Sequence, residues 1–197
     1  IDNNVQTDFT AEATVTDGTF NGPVAIGSEA SLQVEAGQFS DELKPEYLAD
    51  GASMGVVTDA AGNKVTVVAG DNVAALIGTT AYTSLADALA AAQAGETVTM
   101  MHDATMDASV TLDKAITLDL NGKTVINNSA KTRPFYVTAE AFTVTGNGGS
   151  IVTPESNTSS FGLIDMQTAG ATLTISDATL AGPTDNGSLI KCRQANT

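Results

Sequence analysis

Short runs of alternating apolar and polar residues recur along the second half of the chain. In ITLDLNGKTV, residues 116–125, three apolar residues alternate with polar ones until Asn121-Gly122 interrupts the pattern. Such alternation predicts a half-buried strand, because successive side chains of a strand point to opposite faces. Asn-Gly favours a hairpin turn, since both residues accept positive φ. Taken alone, this segment predicts a β-hairpin.

Two later segments, FTVTGNGGSIV and LTISDATLAG, repeat the same strand, polar corner and second strand. Leu118, Val144 and Ile175 align, and the unequal spacings between them suit single coils of a parallel β-helix with loops of varying length. A β-sandwich also contains many short strands, but its hairpins rarely repeat one strand-corner-strand pattern at such spacing. We therefore expect an all-β, right-handed parallel β-helix fold in which Asn121-Gly122 is a corner between two strands of one coil.

The first part of the chain has a different repeat. VTDGTF at 15–20 and VEAGQF at 34–39 share Val, Gly and Phe at the same positions. A hairpin is predicted around residues 61–63. Near residues 70–80 the sequence changes from the repeat with Gly and Phe to a predicted helix and the alternating segments. We therefore expect one β-rich segment over 1–75 and a second over 76–197.

One helix is predicted between these parts, at about residues 84–93. Ser84 is a suitable N-cap, with Asp87 following it in the first turn, and Gly95 supplies a stop. A narrow apolar face suits packing on a flat apolar surface, such as the end of a β-helix. That face comprises Leu85, Ala88, Leu89 and Ala92.

Charge and composition narrow the classes of partner. Acidic residues outnumber basic ones by 23 to 8, giving a formal net charge of −15 at pH 7. Nucleic acid is not an expected partner, because binding a phosphate backbone requires a basic face. The chain has no apolar run of the roughly 18 residues that would cross a bilayer. Residues 1–20 do not have the pattern of a signal peptide, so for an exported protein we expect the signal and any anchor outside this chain.

Cysteine usage leaves the cellular compartment open. Cys192 is the sole cysteine, so neither an intrachain disulfide nor a cysteine-based metal motif is expected. A cytosolic protein and many exported bacterial proteins share this property. No cofactor is predicted.

The run AYTSLADALAAAQAGETVTMMHDATM, followed by ITLDLNGKTV, resembles the opening of right-handed parallel β-helix (pectin-lyase-like) modules in large bacterial surface proteins. The GTF and GQF pair, with FSDELKPEYLADG after it, is similar to the closing segment of such a module. The resemblance covers most of residues 13–182. It implies that residues 1 to about 70 finish one β-helix and residues 80–197 begin another. The strand expected at SLIKC would then be left uncapped, and an uncapped edge invites pairing with another chain. Either the chain is an excised portion of a long polypeptide, or subunits stack end to end.

β-Helices also include polysaccharide lyases and hydrolases, so catalytic residues must be sought individually. Glycoside hydrolysis needs two carboxylates about 5 to 9.5 Å apart. Asp119 and Asp177 lie near corresponding positions of the aligned segments, and Asp165 lies on a nearby strand. Tyr136 could stack on a sugar, although burial is the commoner fate of such an aromatic side chain. For the three aspartates we expect solvated or corner-capping roles.

Other candidates for chemistry carry weaker signals. His102 precedes Asp103, but neighbouring strand residues point to opposite faces, so a strand-end hydrogen-bonding role is expected. A lyase would need a basic proton acceptor beside an acidic calcium site, and no tight acidic motif accompanies the basic residues of this half. Those residues are Lys114, Lys123, Lys131, Arg133, Lys191 and Arg193. The Gly-rich stretch at 146–149 is predicted to be a corner that needs positive φ.

These observations favour a non-enzymatic, extracellular bacterial surface segment that serves as a stalk, adhesin or fibre-forming module. Self-association through β-helix ends and binding to a host or surface glycan or protein are the expected interactions. A carbohydrate-active or carbohydrate-binding β-helix is the alternative.

Overall fold

The fold is all-β with one short helix. The structure, a computed structural model, describes residues 11–129, 133–157, 162–182 and 188–193. The chain divides into two compact units, Ile1–Asp71 and Asn72–Thr197.

The first unit contains six strands and one 3₁₀ turn in its described residues. They are β1 (Ala11–Val15), β2 (Thr19–Phe20), β3 (Ala30–Val34), β4 (Gly37–Phe39), the 3₁₀ turn Pro45–Tyr47, β5 (Ser53–Thr58) and β6 (Lys64–Ala69). Strand β1 pairs in parallel with β3, and β2 pairs in parallel with β4. A four-stranded sheet has the order β2-β4-β6-β5.

The residues that repeat in the sequence of the first unit pair with each other in its parallel strands. Val15 pairs with Val34, and Phe20 pairs with Phe39. The two phenylalanine rings stack with centroids 4.8 Å apart and planes 9° from parallel. Identical apolar residues thus lie directly above one another and build one small core.

Strands β5 and β6 form an antiparallel hairpin where the sequence predicts one. The Oδ1 atom of Asp59 accepts hydrogen bonds from the backbone N–H groups of Ala61 and Asn63, at 2.9 and 2.8 Å. The bonds from Asn63 lower the pKa of Asp59. This aspartate therefore closes the turn.

The second unit contains one helix and fourteen strands in its described residues. The first elements are β7 (Ala75–Ile77), β8 (Thr80–Tyr82), α1 (Leu85–Ala91), β9 (Thr97–Met100), β10 (Ala104–Met106) and β11 (Val110–Leu112). Next come β12 (Ile116–Asp119), β13 (Thr124–Asn127), β14 (Phe135–Val137), β15 (Ala141–Thr145), β16 (Ser150–Val152) and β17 (Ile164–Met166). The last are β18 (Thr172–Ser176), β19 (Thr179–Ala181) and β20 (Ile190–Cys192).

The strands from β9 onward form four triplets, β9–β11, β12–β14, β15–β17 and β18–β20. The first strands of the triplets lie in one sheet of order β18-β15-β12-β9-β7-β8, here called the first sheet. The middle strands form the second sheet, β10-β13-β16-β19, and the last strands form the third sheet, β11-β14-β17-β20. Every pairing between triplets is parallel, whereas β7 pairs antiparallel with both β8 and β9.

The register confirms the alignment made from the sequence. Leu118 pairs with Val144, and Val144 pairs with Ile175. The segment ITLDLNGKTV is not a hairpin, because β12 lies in the first sheet and β13 in the second. Asn121-Gly122 is therefore the predicted corner, with φ of 49° and 73° at its two residues.

Stacked apolar side chains fill the interior of the second unit. The fully buried members include Val98, Leu118, Val125, Phe135, Val144 and Ile151. Met100 belongs to the same core, and Met101 is also buried. Apolar side chains that repeat at each triplet thus bury one another, and this burial is the main favourable contribution to folding.

Helix α1 packs against this core through Leu85, Ala88 and Leu89 of the predicted face, and Ala92, the residue after the helix, also belongs to the core. The Ser84 Oγ atom accepts a hydrogen bond from the backbone N–H of Asp87 at 3.4 Å, which confirms the N-cap. The predicted C-terminal end lies slightly too far along the chain. The helix ends at Ala91, and Gly95 lies in a later turn where its N–H donates to the Ala115 carbonyl at 2.7 Å.

Candidate functional site

The three candidate aspartates do not converge on one site. Asp119 pairs with Thr145, and Thr145 pairs with Ser176, so Asp177 lies one position beyond the register of Asp119. Asp165 lies on β17 in the third sheet. The carboxylate pair considered from the sequence is therefore not formed by corresponding residues.

Asp119 and Asp177 are both corner residues, as expected. The Oδ1 atom of Asp119 accepts a hydrogen bond from the Asn121 backbone N–H at 2.9 Å. Asp177 is exposed and has φ of 50°, a conformation that Asp tolerates better than most residues. The corner positions of these two aspartates account for the residue type, so no catalytic role is needed to explain them.

Asp165 departs from the expectation of a solvated side chain, because its side chain is 0% exposed. Two arginines cover it. Arg193 donates from Nε to Oδ1 at 3.2 Å and from a terminal nitrogen to Oδ2 at 3.0 Å. Arg133 approaches Oδ2 at 3.8 Å with a side chain that is 9% exposed. The site is thus a buried carboxylate held between two guanidinium groups, here called the Asp165 cluster.

The two arginines differ in their surroundings. The side chain of Arg193 is 46% exposed, and its hydrogen bonds to Asp165, followed by charge attraction, raise its pKa. The Arg133 side chain contacts the Ser188 carbonyl at 3.5 Å. Its Nε is buried and has no hydrogen-bond partner among the residues that the structure describes. Removing the carboxylate would therefore leave Arg133 the more poorly compensated of the two charges.

The Asp165 cluster lies on a row of outward positions on the third sheet. Asp165 pairs with Tyr136 on one side and with Lys191 on the other. The neighbouring positions on β14, Phe135 and Val137, are fully buried in the core, whereas Tyr136 is partly exposed. An aromatic ring and basic groups thus occupy one face of an otherwise acidic chain.

The remaining basic candidates have other positions. The Nζ of Lys114 donates to the Ala92 carbonyl at 3.2 Å, where it satisfies an acceptor at the end of helix α1. Lys123 follows the Asn121-Gly122 corner, and Lys131 lies outside the described residues. His102 is partly buried just after β9, and Asp103 Oδ1 accepts the Thr124 N–H at 2.7 Å. That bond ties neighbouring triplets together.

A buried asparagine forms a second polar group that the sequence did not reveal. Asn127 is fully buried, and its Nδ2 donates to Thr153 Oγ1 at 2.9 Å. Its Oδ1 accepts the backbone N–H of Ser129 at 3.1 Å, and Asn157 Nδ2 donates to the Asn127 carbonyl at 3.3 Å. These bonds offset the cost of burying polar atoms.

The first unit contains an open groove of about 380 Å³. Its lining includes the carboxylates Glu35, Asp50 and Asp71. Within the ranges that the structure describes, no three His, Cys, Asp or Glu side chains are placed to hold a metal ion. Nor does any helix in those ranges have the length and apolarity to cross a membrane.

Comparisons with protein-family models, with curated proteins and with solved structures gave no match. The geometry of the chain itself is therefore the basis for a functional assignment. Among the candidates, the structure brings Asp165 and Tyr136 together and leaves Asp119 and Asp177 at the corners. The arginine partners of Asp165 carry a sequence signal, because Arg133 precedes it and Arg193 follows it by nearly the spacing of the repeated segments.

Proposed function

We propose that the chain is a rigid, non-enzymatic structural segment of an extracellular bacterial surface protein, built on a right-handed parallel β-helix. The observation that carries this proposal is the set of three sheets in which each triplet contributes one strand to each sheet and every pairing between triplets is parallel. A chain that visits three sheets in turn and then returns to the first describes one coil of a helix. Right-handed crossovers between parallel strands are strongly preferred.

The distribution of interactions supports a structural role. Inward positions carry stacked apolar residues in all three sheets, and each added coil lengthens such a stack by about 4.8 Å. Each coil contacts mainly its neighbours, so the architecture can be extended without a new core. Such a stack suits a stalk, an adhesin or a fibre that projects from a cell surface and assembles end to end.

The purified chain is expected to leave pectin, alginate and glycosaminoglycan intact. The geometry supports this expectation because the Asp165 carboxylate is engaged by Arg193 and Arg133 rather than directed at a second carboxylate. Viscosity and reducing-end assays on each polymer measure the outcome. Depolymerisation that Asp165→Asn or Asp119→Asn abolishes, in protein still folded by circular dichroism, would overturn the proposal.

One observation favours a second candidate function, the binding of an acidic saccharide. Tyr136, Lys191 and Arg193 lie together on the outer face of the third sheet. An aromatic ring can stack on a sugar while basic groups bind its carboxylate or sulfate. A row of such side chains along successive strands would suit an extended polymer.

For this second candidate, titration calorimetry with oligogalacturonate at low salt should detect binding that Lys191→Ala and Tyr136→Ala weaken by roughly tenfold each, a change of about 1.4 kcal/mol. Lys123→Ala is the matched control, because it removes the same charge from a corner of the first and second sheets. Equal losses of affinity in Lys191→Ala and Lys123→Ala would show that the saccharide is attracted by charge alone and not bound at a specific site. If the unaltered chain gives no heat of binding, this candidate function is ruled out.

A further inference from the structure

Two segments that lie far apart in the chain have the same corner sequence. Thr14–Phe20 reads TVTDGTF and Thr174–Leu180 reads TISDATL. Two Thr positions and the Asp are identical, and the other four positions differ only by similar residues. The first segment joins β1 to β2, and the second joins β18 to β19.

The lengths of the corners reinforce this match. In the second unit, the corner between the first and second sheets spans six positions from Leu118 to Thr124 and six from Val144 to Ser150. From Ile175 to Thr179 it spans four. In the first unit, Val15 to Thr19 also spans four positions. The β18–β19 corner therefore differs from the preceding triplets and has the length found in the first unit.

Both corners lie at the edges of their sheets. Within the described part of the chain, β18 and β19 pair only with β15 and β16, whereas β1 and β2 pair only with β3 and β4. In the second unit the open side of the edge is the side on which a later triplet would stack. In the first unit it is the side on which an earlier repeat would stack. One edge is thus open to a later coil and the other to an earlier coil, and the two edges have similar sequences.

Apolar side chains at both edges are less buried than their equivalents one register step inward. Ile175 and Leu180 are partly exposed, whereas their partners Val144 and Ile151 are fully buried. In the first unit Val15 and Phe20 are partly exposed, whereas Val34 and Phe39 are buried. A further coil on either edge would cover the exposed apolar surface, which is favourable.

We propose that the occupant of the β18–β19 edge is the β1–β2 edge of a second copy of this chain. Thr174 then pairs with Thr14, Ile175 stacks on Val15, and Leu180 stacks on Phe20. The contact is parallel strand addition, and it rests on the proposed structural function by giving the end-to-end assembly its two surfaces. Because the surfaces differ, the contact is heterologous, and repeating it adds further copies in a closed ring or an open filament.

Mixing two end-blocked variants tests this pairing. Ile175→Lys places a charge in the β18 edge, and Val15→Lys does so in the β1 edge, each in a Cys192→Ser background. Sedimentation velocity should show growing oligomers for the unblocked chain, monomers for each blocked variant alone, and only dimers for the equimolar mixture. Thr174→Lys and Thr14→Lys, which place the same charge on the outward side of the same strands, should retain assembly.

Cross-linking tests the register independently of the blocked variants. Thr174→Cys mixed with Thr14→Cys should be joined by a short bis-maleimide, whereas Thr174→Cys mixed with Thr19→Cys should be joined several-fold less. Self-association of Val15→Lys alone to the extent of the unblocked chain, or equal cross-linking of the two mixtures, would overturn the pairing. An unblocked chain that stays monomeric at every concentration would also overturn it, while the depolymerisation assay would still decide the non-enzymatic role.

Discussion

Gly146→Ala should destabilise the second unit by about 3 kcal/mol, the upper range for overpacking a closely packed site. A Cβ on Gly146 would overlap the carbonyl oxygen of Asp177 and lie 2.6 Å from the Ala178 Cα. Movement of the backbone would break hydrogen bonds, because the Gly146 N–H donates to the Ser176 carbonyl at 2.9 Å and its carbonyl accepts the Gly122 N–H at 2.9 Å. Urea unfolding followed by circular dichroism measures the loss.

A matched control lies in the same corner. Gly148 has φ of 81°, and nothing lies within 4 Å of a Cβ built there. Asn tolerates positive φ better than other residues with a side chain, so Gly148→Asn should change the free energy of unfolding by less than about 1 kcal/mol. Equal midpoints for the two variants would show that the close approach of neighbouring triplets at Gly146 has no energetic importance.

Asp165→Ala should cost about 3 to 5 kcal/mol of the free energy of unfolding, because it leaves the buried charge of Arg133 without its carboxylate. The buried Oδ2 atom lies 3.8 Å from Arg133 and accepts a 3.0 Å bond from Arg193. Thermal and urea denaturation at neutral pH check the expected loss. Asp177→Asn is the control, since that aspartate is exposed at a corner whose positive φ Asn also accepts.

A double replacement tests whether the unpaired charge of Arg133 causes the loss of stability in Asp165→Ala. If the unpaired Arg133 is the cause, Asp165→Leu combined with Arg133→Met should recover a large part of the stability, because a buried ion pair can be replaced by apolar residues at little cost. If the double variant is as unstable as Asp165→Ala, the carboxylate acts through other contacts, and the unpaired charge of Arg133 does not explain the loss.

Much of the second unit could be predicted because its signals are local and repeated. The alternation around Leu118 identified a strand, and comparison with the segments around Val144 and Ile175 gave the observed register. The same comparison replaced the Asn121-Gly122 hairpin with a corner. Ser84 identified the start of the helix, since an N-cap depends on its immediate neighbours.

The end of the helix was less predictable. Gly95 is a reasonable stop in sequence, yet its N–H bonds to the carbonyl of Ala115, which lies just before the next triplet. That contact belongs to the packing of successive triplets, which no local pattern describes. The helix itself ends four residues before Gly95, at Ala91.

The order of residues alone predicts the strand periodicity, the Val and Phe repeat of the first unit, and the corners at Asn121 and Asn147, because each depends on neighbouring residues or exact repetition. The burial of Asp165 and the lack of space for a side chain at Gly146 could not be predicted in this way. Both properties depend on residues of the next triplet or its flanks, such as Arg193 and Asp177, brought into contact by stacked strands. Because the strands pair in parallel, residues one repeat apart in the sequence lie on adjacent strands, a single interstrand spacing apart. The environment of each residue is therefore set by the triplets beside it.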